Sequence, residues 1–203
     1  MTIIKNTSLA ILIFLFSFAP FISCKSLTSI ETSQKTEYYT LKHPLSWKST
    51  EVTTTGGVNF QLLHLSPGFK NKENFLGFTI LLTDAIQKNS PNSLEDATTT
   101  FIQKFRNAAN ENALNYLGFS STPPSFRPQQ FKGKNGIEWT ERESSITTVN
   151  NEKPIKKELL KTYFAYTENH KLIIIQYQYN TQNAKSNQTA IEEVLKGLTL
   201  HNP

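Results

Sequence analysis

The feature that most constrains the fold is a series of strand-like segments joined by connections that are too short for a crossover. Alternating apolar and polar residues, β-branched side chains and turn-forming residues at the ends predict strands. The predicted strands are residues 38–43, 47–54, 58–62, 75–83, 137–149, 155–167 and 171–179. Since parallel neighbours need long crossover connections, this spacing favours an antiparallel sheet.

Two segments with helical periodicity interrupt the strands. Ser93 followed by Asp96 resembles a capping box, and an apolar stripe follows it. The stripe consists of Leu94, Ala97, Phe101, Phe105 and Ala108, and a closing helix carries Ile191, Val194, Leu195 and Leu198 on one face. Residues 118–128 are predicted to be a loop. The order of strands, helix, strands and helix predicts an α+β domain with helices packed on an antiparallel sheet.

The N-terminus has the pattern of an export signal. Lys5 is the only charged residue before an apolar run over residues 9–19, and Pro20 follows that run. The run is shorter than the roughly 20 residues that span a bilayer as a helix. A short basic segment followed by a compact apolar core is typical of a cleaved secretory signal. We therefore predict that residues 1–23 are a signal peptide.

The predicted cleavage site contains the only cysteine of the chain. The segment Phe21-Ile22-Ser23-Cys24 resembles the lipobox of bacterial lipoproteins, with Phe21 where that family usually has Leu. The resemblance implies cleavage between Ser23 and Cys24 and diacylglycerol attachment to the Cys24 thiol. Acyl chains with a palmitate-like length anchor a protein stably when two or more are attached. The predicted partner of Cys24 is therefore the lipid bilayer.

The rest of the chain is predicted to be a tether and one domain. Residues 24–36 hold the lipidated cysteine and a Ser/Thr-rich stretch, predicted to be a flexible tether that reaches about 20 Å on average. Residues 37–203 are predicted to form a single globular domain, which we expect to be a monomer without disulfides. The predicted localisation is the bacterial cell envelope. Lys25 permits transfer to an outer membrane under the enterobacterial sorting rule, while the membrane and the face of display stay open.

The folded part resembles the Mog1/PsbP-like superfamily. The resemblance rests on the run from Tyr39 to Trp47, in which a strand enters a Pro-x-x-Trp turn. It rests also on the two adjacent strands from Tyr163 to Tyr179, followed by a helix with a short apolar tail at residues 198–200. The match covers most of residues 37–200 and implies an α/β/α sandwich around an antiparallel sheet. Members include photosystem accessory proteins, a Ran-binding protein and bacterial lipoproteins, and they share no catalytic centre.

Titratable residues are the natural candidates for a catalytic or metal site. The histidines, His43, His64, His170 and His201, show no spacing that is typical of a metal site, which needs three or four clustered ligands. His43 is predicted to end a strand and His170 to lie in a turn. Gly133-Lys134-Asn135-Gly136 lacks the spacing of a phosphate-binding loop. No catalytic site, metal site or cofactor is therefore predicted.

Carboxylates and tyrosines leave alternatives open. Glu138, Glu141 and Glu143 lie on one predicted strand, with Glu141 and Glu143 on a shared face. Two carboxyls about 5–10 Å apart in a cleft would suit a glycosidase, but alternation on a strand favours a solvated sheet face. The tyrosines of the last two strands are predicted to fill the core rather than an exposed groove: Tyr163, Tyr166, Tyr177 and Tyr179.

These observations favour binding over catalysis. The net charge of +5 is spread over separate lysine pairs, whereas nucleic-acid readers concentrate their basic residues, so no nucleic-acid partner is expected. The leading hypothesis is a membrane-anchored envelope lipoprotein acting as a non-enzymatic binding or accessory module. The alternatives are a surface lipoprotein that contacts host or environmental ligands, and an envelope hydrolase with unassigned carboxylates. An envelope protein partner is left open.

Overall fold

Two antiparallel sheets organise the chain. A computed structural model describes residues 31–55, 58–67, 76–84, 93–108, 119, 123–147 and 155–203. The predicted signal peptide, which ends at Ser23, and the predicted lipid-attachment residue Cys24 lie outside these residues. Neither helix in the described part of the chain has the length and apolar character that a bilayer crossing requires.

The larger sheet has seven strands in the order β3-β4-β5-β9-β8-β7-β6, and all neighbours are antiparallel. Its strands are β3 (Trp47–Thr55), β4 (Val58–Pro67), β5 (Gly77–Asp84), β6 (Arg127–Phe131), β7 (Lys134–Thr147), β8 (Ile155–Glu168) and β9 (Lys171–Asn180). The turn into β9 places Asn169 and His170 at φ values of 44° and 62°, which asparagine and histidine tolerate better than most residues. The predicted strands from residue 47 to residue 179 are confirmed where the structure describes them, although β4 continues to Pro67 rather than ending at residue 62 and β7 begins at Lys134 rather than at residue 137.

The smaller sheet has three strands in the order β1-β2-β10. These are β1 (Glu31–Lys35), β2 (Tyr39–Pro44) and β10 (Leu198–Leu200). Between the first two strands, the hydroxyl oxygen of Thr36 accepts hydrogen bonds from the backbone amides of Tyr38 and Tyr39, at 3.2 and 3.1 Å. Residues 31–36 had been predicted to belong to a flexible tether. That prediction is wrong for this part of the tether, because β1 pairs along its whole length with β2.

Two helices cover opposite faces of the larger sheet. Helix α1 (Leu94–Ala108) packs with Phe60, Leu81 and Ile174, while α2 (Ala184–Gly197) packs on the other face with Ile80 and Ile175. The predicted cap is confirmed, since the Asp96 amide donates to the Ser93 hydroxyl at 3.1 Å. The result is a three-layer α/β/α domain, which confirms the predicted α+β class and its antiparallel sheet.

Two further features differ from the predictions. Residues 127–131 form β6 rather than the end of a loop, although Pro128 lacks an amide donor; β6 is an outer strand, where proline is tolerated. Leu198 belongs to β10 rather than to the closing helix. It is buried beside Leu41 of β2. The prediction that Leu198 faces the core is therefore confirmed, whereas the prediction that it belongs to the helix is wrong.

Candidate functional site

A surface groove lies between the smaller sheet and the outer edge of the larger one. Its volume is about 480 Å³. We call it the edge groove and define it by its lining: Gln34, Lys35, Thr36, Tyr39, Glu51, Val52, Thr53, Gln61, Leu62, Leu63 and Leu82. A second groove of about 240 Å³ shares Thr53, Gln61 and Leu82 with it and extends towards Asp84 and Lys171. The edge groove is therefore the larger part of one elongated depression.

Outer strands border the edge groove on two sides. β1 ends one sheet and β3 ends the other, so among the described residues each has only one hydrogen-bonded neighbour. Consecutive residues of each segment, Gln34–Thr36 and Glu51–Thr53, line the groove, which brings both backbones to its walls. An outer strand presents unpaired amide and carbonyl groups along its free side. The groove can consequently offer main-chain hydrogen bonds from either wall.

The lining of the edge groove combines an apolar floor with charged and hydroxyl groups. Leu63 and Leu82 are buried residues of the core on the α2 face. Burial, together with the nearby Glu51 carboxylate, raises the pKa of Tyr39 to about 12. The Tyr39 hydroxyl therefore keeps its proton at neutral pH. Lys35 and Glu51 are exposed and place opposite charges on the two walls.

On the α1 face of the larger sheet, a group of mostly buried polar side chains lies beside the apolar residues of the core. The residues concerned, which we call the polar row, are His64, Thr79, Gln176, Gln178, Lys161, Tyr163 and Glu141. The strand register aligns His64 with Thr79, Thr79 with Gln176, and Gln176 with Tyr163. Six of these seven residues are buried, and Glu141 is half-buried. Buried polar side chains need hydrogen-bond partners, so the hydrogen bonds of each residue in the polar row are important for the stability of the fold.

His64 is a titratable group of the polar row with a lowered pKa. Its Nδ1 lies 2.9 Å from the Thr79 hydroxyl oxygen. Burial lowers the pKa of His64 from its usual 6.5 to about 4, because water no longer solvates the imidazolium. The ring is therefore neutral at pH 7. Close by, the side-chain Nε2 of Gln176 donates a hydrogen bond to the side-chain Oε1 of Gln178 at 3.0 Å. The Oε1 of Gln176 itself has no hydrogen-bond partner among the described residues.

The three glutamates of β7 separate into different environments. Glu138 pairs with Arg127 on β6. Glu141 accepts hydrogen bonds from the Trp139 indole at 3.3 Å and from the Tyr163 hydroxyl at 3.4 Å. Burial first, and then the Glu141 charge, raise the pKa of Tyr163 well above 10. The prediction of a plain solvated face is wrong for Glu141, which is half-buried against this aromatic pair.

Glu143 is exposed and lies on β7 beside the polar row. It receives a hydrogen bond from the Lys161 ammonium at 2.7 Å, and the Glu143 side chain is 60% exposed while that of Lys161 is 6% exposed. The buried cation is thus matched by an anion at the surface. Glu141 and Glu143 share a face, as predicted, and Lys161, which donates to Glu143, lies opposite Glu141 in the strand register.

The other histidines lie on separate elements. His43 is buried at the end of β2, with its Nδ1 3.1 Å from the Pro44 carbonyl oxygen. His170 lies in the β8–β9 turn, as predicted, and the His201 Nε2 lies 3.1 Å from the Thr40 hydroxyl oxygen. Within the described ranges, no three His, Cys, Asp or Glu side chains are grouped so that they could hold a metal ion.

The four tyrosines of β8 and β9 pack into the domain, which confirms that interpretation. Tyr163 and Tyr166 are buried on opposite faces of the larger sheet. Tyr177 and Tyr179 are partly buried against the core on the α2 face. The tyrosine that contributes to a groove is instead Tyr39, on β2. Its role follows from the pairing of β1 with β2, which the polar composition of residues 31–36 concealed.

The fold and the edge groove define this chain as a three-layer α+β domain with a groove along outer strands. No family model matches the sequence, and no curated protein matches it. Several solved structures are similar to this chain, including the following two. The match to the solution structure of cyanobacterial PsbP (CyanoP) from Synechocystis covers 90% of this chain and 99% of the PsbP chain, at 12% identity and a TM-score of 0.46. The crystal structure of LpqN, involved in cell envelope biogenesis of Mycobacterium tuberculosis, covers 84% of this chain and 90% of that chain, at 8% identity and a TM-score of 0.33.

Proposed function

We propose that this chain is a bacterial envelope lipoprotein whose domain is a non-enzymatic binding module for an extended polypeptide segment. The observation that carries the binding role is the position of the edge groove between two outer strands. The anchoring role is supported by the sequence Ile22-Ser23-Cys24 after an export signal. Cys24 is the only cysteine of the chain and the acceptor of the acyl groups.

An extended polypeptide is the ligand that suits two free strand edges. Such a segment adds a strand to an exposed edge, where main-chain hydrogen bonds give affinity and side-chain contacts give specificity. β3 provides nine residues of edge and β1 provides five. A compact small molecule would leave most of these main-chain groups without a partner. The elongated depression that the edge groove shares with its neighbour also favours a linear ligand.

Side chains of the edge groove would select the segment that binds. The protonated Tyr39 hydroxyl donates a hydrogen bond, and Leu63 and Leu82 form an apolar floor for one side chain of the ligand. Lys35 and Glu51 on opposite walls favour a ligand that carries both charge signs. These contacts hold and orient a ligand, and none of them supplies an activated nucleophile.

Site-specific photocrosslinking in intact cells tests this proposal. A benzoylphenylalanine is placed at Thr53, an exposed residue of β3 that lines the edge groove. The matched control position is Thr50, which is exposed on the same strand and shares the face of His64 rather than that of the groove. We expect a discrete adduct with another polypeptide from Thr53 and a much weaker one from Thr50. Mass spectrometry of the adduct should locate the crosslink in one linear segment of the partner.

Equal crosslinking from the two positions, or no polypeptide adduct from Thr53, would contradict binding in the edge groove. Lipid attachment is measured separately by labelled palmitate, so anchoring and binding can fail independently. Protease treatment of intact cells distinguishes the two sites of display. Digestion of the domain would indicate the cell surface, where host or environmental ligands are available, and protection would indicate the periplasm.

A further inference from the structure

Leu45 is the one large apolar side chain that is mainly exposed in the described part of the chain. It is 61% exposed and lies with Ser46 in the turn between β2 and β3. A single exposed leucine is common on protein surfaces and needs no explanation by itself. Its position relative to the start of the domain is what distinguishes it.

The turn that carries Leu45 lies where the chain enters the domain. The strand register pairs Glu31, the first residue of β1, with Pro44, the residue before Leu45. Only residues 25–30 separate Glu31 from Cys24. Even when fully extended, this connection spans no more than about 25 Å. An acyl anchor on Cys24 therefore holds the β2–β3 turn within reach of the lipid headgroups.

We propose that the β2–β3 turn docks on the bilayer that holds the acyl chains, with the Leu45 side chain inserted at the membrane interface. This inference rests on the proposed lipidation of Cys24. Lys42 and Lys48, both exposed, lie three residues before and after Leu45 and can contact lipid phosphates. Glu31 is the opposing exposed charge at the same end. An apolar tip between two cations is the pattern of an interfacial contact.

Docking through Leu45 also sets the direction of the edge groove. β1 runs from Glu31, beside the turn, to Lys35, which lines the groove. Four strand residues of about 3.3 Å each separate the two, so Lys35 can lie up to roughly 13 Å farther from the bilayer than Glu31. The edge groove would consequently face the aqueous side, where a polypeptide can reach it.

Depth-dependent fluorescence tests the docking on the full-length, processed lipoprotein. Leu45→Cys supplies one free thiol, because acylation of Cys24 converts its sulfur to a thioether. The thiol is labelled with the fluorophore NBD, and the protein is reconstituted in vesicles of phosphatidylethanolamine and phosphatidylglycerol, with or without nitroxide-labelled lipid. Thr167→Cys is the matched control. Thr167 is exposed and pairs with Leu172, at the end of the larger sheet that is opposite to the β2–β3 turn. Palmitate incorporation at Cys24 is measured on the same preparations.

We expect the NBD emission at position 45 to shift to the blue and to be quenched several-fold more strongly by nitroxide lipid than that at position 167. Equal quenching at both positions, or no quenching at position 45 in palmitate-labelled protein, would overturn the docking while leaving lipidation intact. A blue shift that depends on protein concentration and not on nitroxide lipid would assign the turn to contacts between copies, which also overturns it. Absence of palmitate from Cys24 would overturn the lipidation and the docking together.

Discussion

The rings of Trp139 on β7 and Tyr163 on β8 stack face to face, with centroids 4.6 Å apart and planes within 3° of parallel. The strand register places the two residues directly opposite each other. Phe126 contacts Trp139 edge-on, and Phe119 stacks on Tyr163. These four rings form an aromatic column on the α1 face of the larger sheet, along β7 and β8. Two of them, the Trp139 indole and the Tyr163 phenol, donate hydrogen bonds to Glu141.

Truncating the centre of this column should be costly. Trp139→Ala removes a side chain that is 1% exposed and leaves a cavity beside Tyr163. The expected loss in the free energy of unfolding is about 3–5 kcal/mol. Urea denaturation followed by circular dichroism measures it. Thr140→Ala, on the exposed neighbouring residue, is the control and should change stability by less than about 0.5 kcal/mol. Similar losses in the two variants would contradict the stacking role.

The buried His64 predicts a pH dependence of stability. Its folded pKa of about 4 lies below the usual 6.5, so between these values the unfolded chain binds a proton that the folded chain does not. The free energy of unfolding should therefore fall as the pH decreases from about 6.5 to about 4, by roughly 3 kcal/mol from this group, and the loss should level off below that range. His64→Gln removes the titrating ring. The difference between wild type and variant isolates the histidine from the carboxylates, and parallel pH profiles would refute its neutral burial.

The smaller sheet depends on a close approach at the end of α2. A Cβ at Gly197 would meet the backbone carbonyl oxygen of Lys42 well inside van der Waals contact. Gly197→Ala should therefore destabilise the domain by at least about 1–3 kcal/mol, because a backbone group cannot rotate away. Thermal unfolding compares this variant with Lys196→Ala, an exposed neighbour in the same helix. An unchanged midpoint for Gly197→Ala would mean that β2 and α2 are farther apart than the structure places them.

The domain is predicted not to be an enzyme, and the β7 carboxylates provide the test. Glu141 accepts hydrogen bonds from Trp139 and Tyr163, while Glu143 is paired with Lys161. A broad hydrolase screen on the purified lipoprotein should detect no activity that Glu141→Gln or Glu143→Gln abolishes. Activity lost in either variant, with folding retained, would establish the hydrolase alternative.

Sequence patterns predicted the main elements because the signals were local. Alternation predicted β4 from residues 58–62, and the pairing of Ser93 with Asp96 located the start of α1. β1 was missed because its five residues, Glu31–Lys35, include no large apolar side chain and resemble a tether in composition. β1 forms because it pairs with β2, and this pairing depends on the tertiary fold rather than on the local sequence. The edge groove shares this origin, so the composition of its walls gave no signal of it.

The polar row shows a second limit of sequence reasoning. His64 lies between leucines on β4, where alternation correctly gives it the face opposite to Leu63 and Leu65. Nothing in that pattern tells whether the face around His64 is solvated or buried. Burial follows from the neighbours that β5 and β9 bring alongside, Thr79 and Gln176, which lie far along the chain. The partner of a buried polar group is thus fixed by register rather than by sequence spacing.

The most direct test of the account is metabolic labelling of cells that express the full-length chain with a palmitate analogue. We expect the wild type to carry the label and Cys24→Ala to carry none, since Cys24 is the only cysteine. Inhibition of the lipoprotein signal peptidase should in addition make the labelled, uncut precursor accumulate. Label that persists in Cys24→Ala, or a wild type that is exported without label, would contradict the assignment of this chain as a lipid-anchored envelope protein.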